Sequence, residues 1–428
     1  MNVSLKLSLR SFLYRKKQYL SLFLVCLFGC GISLFFLFVM NGMMDSLKNK
    51  ARIYYGGDIQ IIGGKTELKV NNSTPFIEKI KNVFPEDAVI VQRFDYDAAR
   101  ASFYFEGNSA RQRVIKGVYF DREKKLFSGM NFRSGSSSDA GKGKILLSVP
   151  VAAMLCASVG DRITLTVPSS GGSVSTVDLT VCGIFEDSSL FGMYTSYMDI
   201  DDLRKVVRMP EDYANRICIN LDSKNISRKD KASYYKKLSS VLNMFPMLDD
   251  KQDFYDELLG GKFKKDTYAM IPLEANLQDV NFLIIAMHSV TFFIIFILIA
   301  IIVIGIGSTW KILVMKRINE IGIYMSLGMK KLSIIFVLLI EALVLILSGC
   351  LCGTFFSLAG CYVISKFNFS FIPAFDIFLT EGSIIPVFDF SAVCIITALI
   401  LFFTLAAVLS SIKKTIRIMP CQALAATE

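Results

Sequence analysis

An α-helical membrane protein with four transmembrane helices and a large α+β extracytoplasmic domain between helices 1 and 2 is what the sequence predicts. Three observations carry this. Four apolar runs, residues 19–43, 280–308, 332–364 and 387–412, each reach the roughly 20 residues that a bilayer crossing needs. The stretch between the first two, residues 44–279, is polar, contains Gly and Ser, and alternates in the manner of strands. Basic clusters flank the runs: Lys6, Arg10, Arg15, Lys16 and Lys17 before the first, Lys311, Lys316, Arg317, Lys330 and Lys331 between the second and third, Lys413, Lys414 and Arg417 after the fourth. Short basic loops stay in the cytoplasm, so residues 44–279 and the less basic loop 365–386 fall outside and both termini inside.

The bulk composition agrees. Over 428 residues, 53% are apolar, which points to a membrane protein. The formal charge of +10 is explained by the flanking clusters, and no nucleic-acid partner is needed. Of the ten cysteines, Cys26, Cys30, Cys350, Cys352, Cys361 and Cys394 lie inside apolar runs, where Cys is a small hydrophobe. Cys421 is cytoplasmic on this topology. Cys156, Cys182 and Cys218 lie in the outer region and cannot all pair, so no obligatory disulfide scaffold is expected.

In chain order, residues 1–18 interleave the cations with Leu5, Leu9, Phe12 and Leu13, an amphipathic start lying on the inner membrane surface. The run 19–43 is too long for a signal-peptide core and lacks a small-residue cleavage site, so it is the first span. The outer region opens with strand Asp58–Ile62, helix Pro75–Phe84 capped by Ser73, and strand Ala88–Phe94. It closes with strand Arg216–Leu221, helix Asp230–Leu242 and an extended piece near Met247. These two units imply one subdomain built from both ends, with a mostly-β subdomain inserted at about 101–203. Its strands are Ser102–Glu106, Arg113–Val118, Arg162–Val167 and Val177–Phe185, with loops at Ser134–Lys144 and Ser169–Ser175. The charged stretch Asp253–Asp266 reads as a stalk leading to the second span. His288, the only histidine, lies early in that span with no second ligand in sight, and reads as hydrogen-bonded packing.

The bridge 309–331 must sit at the membrane surface. In it Ile318, Ile321, Met325 and Leu327 or Gly328 recur at helical spacing, which predicts a short helix with one apolar face and a Gly-terminated end, a shape suited to docking. Glu341 lies nine residues into the third span, roughly 13 Å deep at about 1.5 Å per residue. A carboxylate at that depth must face protein, where a hydrogen bond would order the bundle. Gly349 and Gly353, four residues apart, allow close helix approach.

Several chemistries are missing from the sequence. Gly261-Lys262 is followed by Phe263 and Gly143-Lys144 by Ile145, so there is no G-x-x-x-x-G-K-[ST] phosphate cradle and the chain is expected not to hydrolyse ATP itself. One histidine leaves no His-based metal cluster and argues against a Ser/His/Asp triad. No catalytic residue, metal or cofactor of its own is expected.

The order Arg317, Glu320, Ile321, Gly322, Leu327, Gly328 (R-x-x-E-I-G-x-x-x-x-L-G) resembles the signature after the second membrane helix of FtsX-domain ABC permeases, the superfamily of MacB and LolC/LolE. Ile145-Leu-Leu-Ser148, Val159-Gly160-Asp161, Val181 and Gly183-Ile184-Phe185 are similar to the MacB-type periplasmic core domain. Ile340-Glu341-Ala342 followed by Gly349 and Gly353 resembles the family's third span. Arg417, Pro420 and Gln422-Ala423-Leu424 resemble its closing R-x-x-P-x-x-A-L-R, with Ala425 in place of the last Arg.

The resemblance implies a non-catalytic permease subunit in the cell inner membrane. Its six bridge residues would form the coupling helix that docks into a cytoplasmic ABC ATPase subunit, which binds ATP and Mg. A second permease copy or paralogue would complete a dimer among membrane lipids. The implied work is mechanotransmission: motion of the ATPase is passed to the periplasmic domain to extract or release lipoproteins, with a lipoprotein or periplasmic carrier as further partner. MacB carries a fused ATPase in front and FtsX a smaller outer domain, so the LolC/LolE type matches best in architecture. Alternatives within the family are MacB-like efflux of peptides or drugs and FtsX-like control of wall hydrolases. An alternative of another class is a membrane-anchored sensor or scaffold without an ATPase.

Overall fold

A computed structural model describes residues 16–415 apart from 71, 169–173, 188, 190, 194, 222–225, 249 and 381. The amphipathic start over residues 1–15, most of the Ser169–Ser175 loop, Cys421 and the closing motif from Arg417 lie outside the described residues. The chain divides into a helical unit, comprising the stretch up to Met43, Ile284–Phe367 and the stretch from Ile384, and a sheet unit of Met44–Leu283 with Asn368–Ser383.

Helix α1 (Lys16–Tyr55) runs unbroken for 40 residues and contributes to both units. It passes twelve residues beyond the predicted end of the first span, because Leu47, Lys48, Lys50 and Ala51 favour helix as well as the apolar residues before them. It stops at Gly56 and Gly57, whose φ values of +87° and +140° no side-chain-bearing residue adopts easily.

In the sheet unit, β1 (Ile59–Gly64), α2 (Ser73–Lys81), β2 (Val89–Asp97), β3 (Ser102–Phe105), β4 (Asn108–Arg111) and β5 (Val114–Val118) follow in order. A single turn of helix at Lys124–Phe127 leads to β6 (Phe132–Gly135) and β7 (Lys144–Ser148). Then come α3 (Val149–Leu155), β8 (Arg162–Pro168), β9 (Val174–Phe185), β10 (Thr195–Asp199), α4 (Ile200–Val207) and β11 (Arg216–Asn220). The unit closes with α5 (Arg228–Val241), α6 (Lys251–Leu259) and β12 (Thr267–Pro272). Among the described residues the strands form one twelve-stranded sheet, in the order β12-β1-β11-β2-β5-β10-β7-β9-β8-β3-β4 with β6 on β9.

The two expected subdomains therefore share a sheet. Strand β2 joins them: its Val89–Arg93 pairs with β11 and its Phe94–Asp97 with β5. Each half keeps its own core, one of Ile59, Ile61, Phe76, Ile217 and Leu238, the other of Ile145, Leu147, Leu165, Leu179 and Leu203. Apolar burial of this kind is the main favourable term, at about 25 cal/mol per Å².

Two readings of this region are corrected. The supposed stalk Asp253–Asp266 is helix α6 followed by a turn, and the next residues form β12, antiparallel to β1 and buried on both faces. A strand buried on both faces does not alternate in polarity, so it gives no periodic signal. Ser73 does not cap α2. Asn72 stands at the cap in the left-handed region, while the Ser73 hydroxyl bonds Gln92 and Asp212.

The helical unit combines the first part of α1 with α7 (Asn281–Met315), α8 (Ile318–Ser326), α9 (Lys331–Ile364) and α10 (Phe390–Thr415). Among the described residues, α1, α7, α9 and α10 are the helices long and apolar enough to cross a membrane. Helix α7 continues to Met315, so Trp310 and Lys311 belong to it rather than to the bridge. Helices α1 and α9 meet through small residues. A Cβ on Gly353 would stand 2.8 Å from the Leu27 carbonyl oxygen and 3.0 Å from the Gly31 nitrogen, and one on Gly349 2.4 Å from the Cys26 Cβ. With little hydrophobic drive between helices in lipid, such backbone proximity supplies the packing energy.

Candidate functional site

The short helix α8 stands between two membrane-length helices, so how it is mounted decides what it can do. It follows α7 after a two-residue break, where Arg317 takes φ −104° and ψ 15° and its carbonyl accepts the first amide bond, from Ile321. It ends as the Gly328 and Met329 amides turn back to the Met325 and Tyr324 carbonyls. Gly328 has φ +82° with nothing within 4 Å of its missing Cβ, so the backbone angle alone calls for glycine there.

The Arg317 side chain turns inward and is 4% exposed. Its Nη1 donates to Glu341 Oε2 at 2.6 Å and to the Tyr19 hydroxyl oxygen at 3.3 Å, and its Nε donates to Glu320 Oε2 at 3.1 Å. The Tyr19 hydroxyl donates to the same Glu341 oxygen at 2.9 Å. Glu341 is 1% exposed and its carboxylate is thus held from both sides. The ring of Tyr19 lies 6.1 Å from that of Trp310, which is fully buried. Three segments far apart in sequence, the start of α1, the start of α8 and the body of α9, meet at one ion pair. An isolated carboxylate in an apolar interior is very costly, and a guanidinium with further hydrogen bonds is the arrangement that offsets it.

The six bridge residues divide by environment. Arg317, Ile321 and Gly322 are buried within the helical unit. The physical reason is that Arg317 is the counter-charge to Glu341. Leu327, 80% exposed, and Gly328 face outward together with Ile323, and Glu320 is half-buried with its carboxylate shared with Arg317. Between α8 and α9 lies a small apolar cavity of about 60 Å³, walled by Ile321, Tyr324, Met329, Ile334 and Leu338. Gly349 and Gly353 are at the α1–α9 contact. His288 is exposed on α7, and no group of His, Cys, Asp and Glu suited to a metal occurs among the described residues.

Sequence reasoning missed Tyr19 altogether and treated Arg317 and Glu341 separately. The available signal was a demand for charge balance. A carboxylate fixed in an apolar helix needs a cation, and Arg317 is the bridge cation followed at once by a helix that could carry it inward.

Residues 292–420 match the model of the FtsX-like permease C-terminal domain, and residues 23–228 match that of the MacB-like periplasmic core domain. No curated protein matches the chain. Among solved structures, the periplasmic region of MacB from Actinobacillus actinomycetemcomitans is similar at 12% identity, covering 54% of this chain and 95% of that one with a TM-score of 0.30. The two matched segments take in all of α9 and α10, most of α1 and α7, and most of the sheet unit. The chain belongs to the FtsX/MacB-type ABC permeases, with four candidate membrane helices flanking a mixed α/β core domain of the periplasmic type.

Proposed function

We propose that the chain passes motion from a separate cytoplasmic ABC ATPase to its sheet unit, and that the work done there is release of lipoproteins from the inner membrane. The observation that carries the first part is the mounting of α8. One side is fixed to α9 by Arg317 and Glu341 while Ile323 and Leu327 project away from the bundle. A short helix held rigidly at its base with a free apolar face transmits a push instead of absorbing it. The second part is supported by the scarcity of polar groups inside the helical unit. Among the described residues, Ser33, Arg317, Glu341, Ser357 and Thr404 are its buried polar side chains, and the charged ones are neutralised by each other. Such an interior offers no polar path for a water-soluble cargo, whereas acyl-anchored protein is already in the membrane. In this reading α8 and both termini are cytoplasmic, the sheet unit is periplasmic, and a second permease copy or paralogue completes the assembly.

Affinity capture of a tagged chain tests the partner. A Walker-A subunit is expected to accompany the wild type, and Leu327→Asp or Ile323→Asp to reduce it by about tenfold or more, the cost of burying an unpaired charge in an interface. A chain that is fully active without any nucleotide-binding subunit would leave the sensor-or-scaffold reading standing. Depletion should make acylated proteins accumulate in the inner membrane; an unchanged lipoprotein distribution would remove the cargo reading while leaving the permease intact.

The topology has its own test. In the sheet unit Cys156 is exposed, whereas burial pushes the Cys182 thiol up to about 11 and the Cys218 thiol up to about 12, so Cys156 is the reactive one. A membrane-impermeant maleimide added to intact cells made permeable only at the outer membrane should label Cys156 and spare Cys421. Labelling of Cys421 with Cys156 protected would invert the topology.

A further inference from the structure

The last carbonyls of a helix have no partner within it, and those of α1 find theirs in the sheet unit. The Arg52 carbonyl accepts the Gly56 and Gly57 amides at 2.7 and 2.9 Å. The Ile53 and Tyr54 carbonyls accept Arg93 Nη1 at 2.9 and 3.1 Å. The Tyr55 carbonyl accepts Gln60 Nε2 at 2.5 Å, with the Cys218 thiol at 3.3 Å. Arg93 is thus a side-chain cap on a membrane-length helix. It is 1% exposed and sits on β2 directly opposite Arg216 of β11, at the point where that strand passes from one half of the sheet to the other.

The guanidinium is held from behind. Its Nε donates to Glu123 Oε2 at 2.9 Å and Oε1 at 3.2 Å, and its Nη2 donates to Oε2 as well. Burial works against the Arg93 charge, but Glu123 more than offsets this and raises the guanidinium's hold on its proton. A Cβ on Gly56 would stand 2.7 Å from Arg93 Nε, so the glycine that ends α1 also leaves room for the cap. A second tie lies alongside. The Tyr55 hydroxyl donates to the Asn276 carbonyl at 3.1 Å, and Asn276 Nδ2 donates to Gln60 Oε1 at 3.0 Å, so the end of α1 is bound to the segment that leads into α7.

We propose that Arg93, braced by Glu123, is the positioning residue through which displacement of α1 enters the sheet unit at β2. The proposal rests on the reading of this chain as a transmitter of ATPase motion. Two bonds from one buried guanidinium, to the Ile53 and Tyr54 carbonyls, join the helix end to the strand shared by both cores, and three more, to Glu123, hold that guanidinium in place. A pull on α1 therefore loads β2 before any surface loop.

The test compares full-length wild type in nanodiscs with Arg93→Met/Glu123→Met, which removes the pin while keeping apolar volume, and with Arg93→Lys, which keeps the charge but not the fork. Hydrogen exchange needs no ATPase. Amides of residues 56–61 and of β2 should exchange about tenfold or more faster in the double variant, the loss expected for charge-assisted bonds, while Ile163 and Leu165 of β8 stay at the wild-type rate. Unchanged exchange at the helix end overturns the pin whatever partner the chain has. Acceleration spread equally over β8 also overturns it, since that is general loosening of the fold.

The second readout uses the complex captured with its ATPase. Lipoprotein release per ATP hydrolysed should fall by about tenfold in the double variant, with ATPase capture and turnover at wild-type level and partial recovery in Arg93→Lys; an uncoupled pin loses work, not nucleotide binding. Wild-type release per ATP, in a variant whose helix end exchanges faster, overturns the coupling role. If wild type captures no ATPase, the functional reading fails by itself, and the exchange arm still decides whether Arg93 ties α1 to β2.

Discussion

Glu341→Ala is expected to destabilise the helical unit by about 3–5 kcal/mol, the cost of removing one partner of a buried ion pair. Arg317 would lose its 2.6 Å bond to Glu341 and retain Tyr19 and the half-buried Glu320. The checking measurement is a denaturant titration of the full chain in mixed micelles, followed through Trp310. Arg317→Met/Glu341→Met should recover most of the loss, because two apolar side chains replace the pair without stranding a charge. Glu341→Gln, which keeps an acceptor for both donors, should fall between the two. An alanine variant as stable as wild type would mean that Arg317 is balanced elsewhere and that α8 is not anchored through Glu341. The double variant also separates stability from function. If it folds yet captures the ATPase with α8 free to swing, transport should drop while the melting profile holds.

Gly353→Val should cost about 3 kcal/mol, at the upper end for overpacking. The nearest atoms to its missing Cβ are main-chain ones, the Leu27 oxygen at 2.8 Å and the Gly31 nitrogen at 3.0 Å, so relief requires α1 and α9 to move apart as whole helices. Gly305→Ala is the control. Its Cβ would meet Val25 Cγ1 at an ordinary 3.7 Å, and the helix-propensity gain of about 1 kcal/mol should leave stability level or raised. Equal behaviour of the two variants would show that the close α1–α9 approach contributes nothing. The comparison is made in the same titration, so lipid and detergent effects cancel.

Much of the fold was legible because membrane helices announce themselves by length and apolarity, and α7, α9 and α10 fall close to where the apolar runs do. Gly160, in the Val159-Gly160-Asp161 string of the resemblance, has φ +98° and open space where a side chain would be. The strand Lys144–Ser148 and the short helix after it lie where Ile145-Leu-Leu-Ser148 put them. What stayed hidden were features set by partners remote in sequence. Composition changes at Met44, but α1 does not, since its continuation answers to local helix propensity and to capping by a residue 40 positions on. Strand β12 was hidden by burial on both faces. At the candidate site the spacing of Ile318, Ile321 and Met325 gave the helix but not its rotation. The apolar side that would have been read as the docking face is split, with Ile321 inward and Leu327 outward, because Arg317 must reach Glu341.

Trp310 is the sole tryptophan of the chain, fully buried and beside Tyr19 at the Arg317–Glu341 junction. Any indole emission from the purified molecule consequently originates at that one place. Nature has installed a built-in optical probe at the joint, so nucleotide-driven rearrangement there can be followed in real time without attaching a dye.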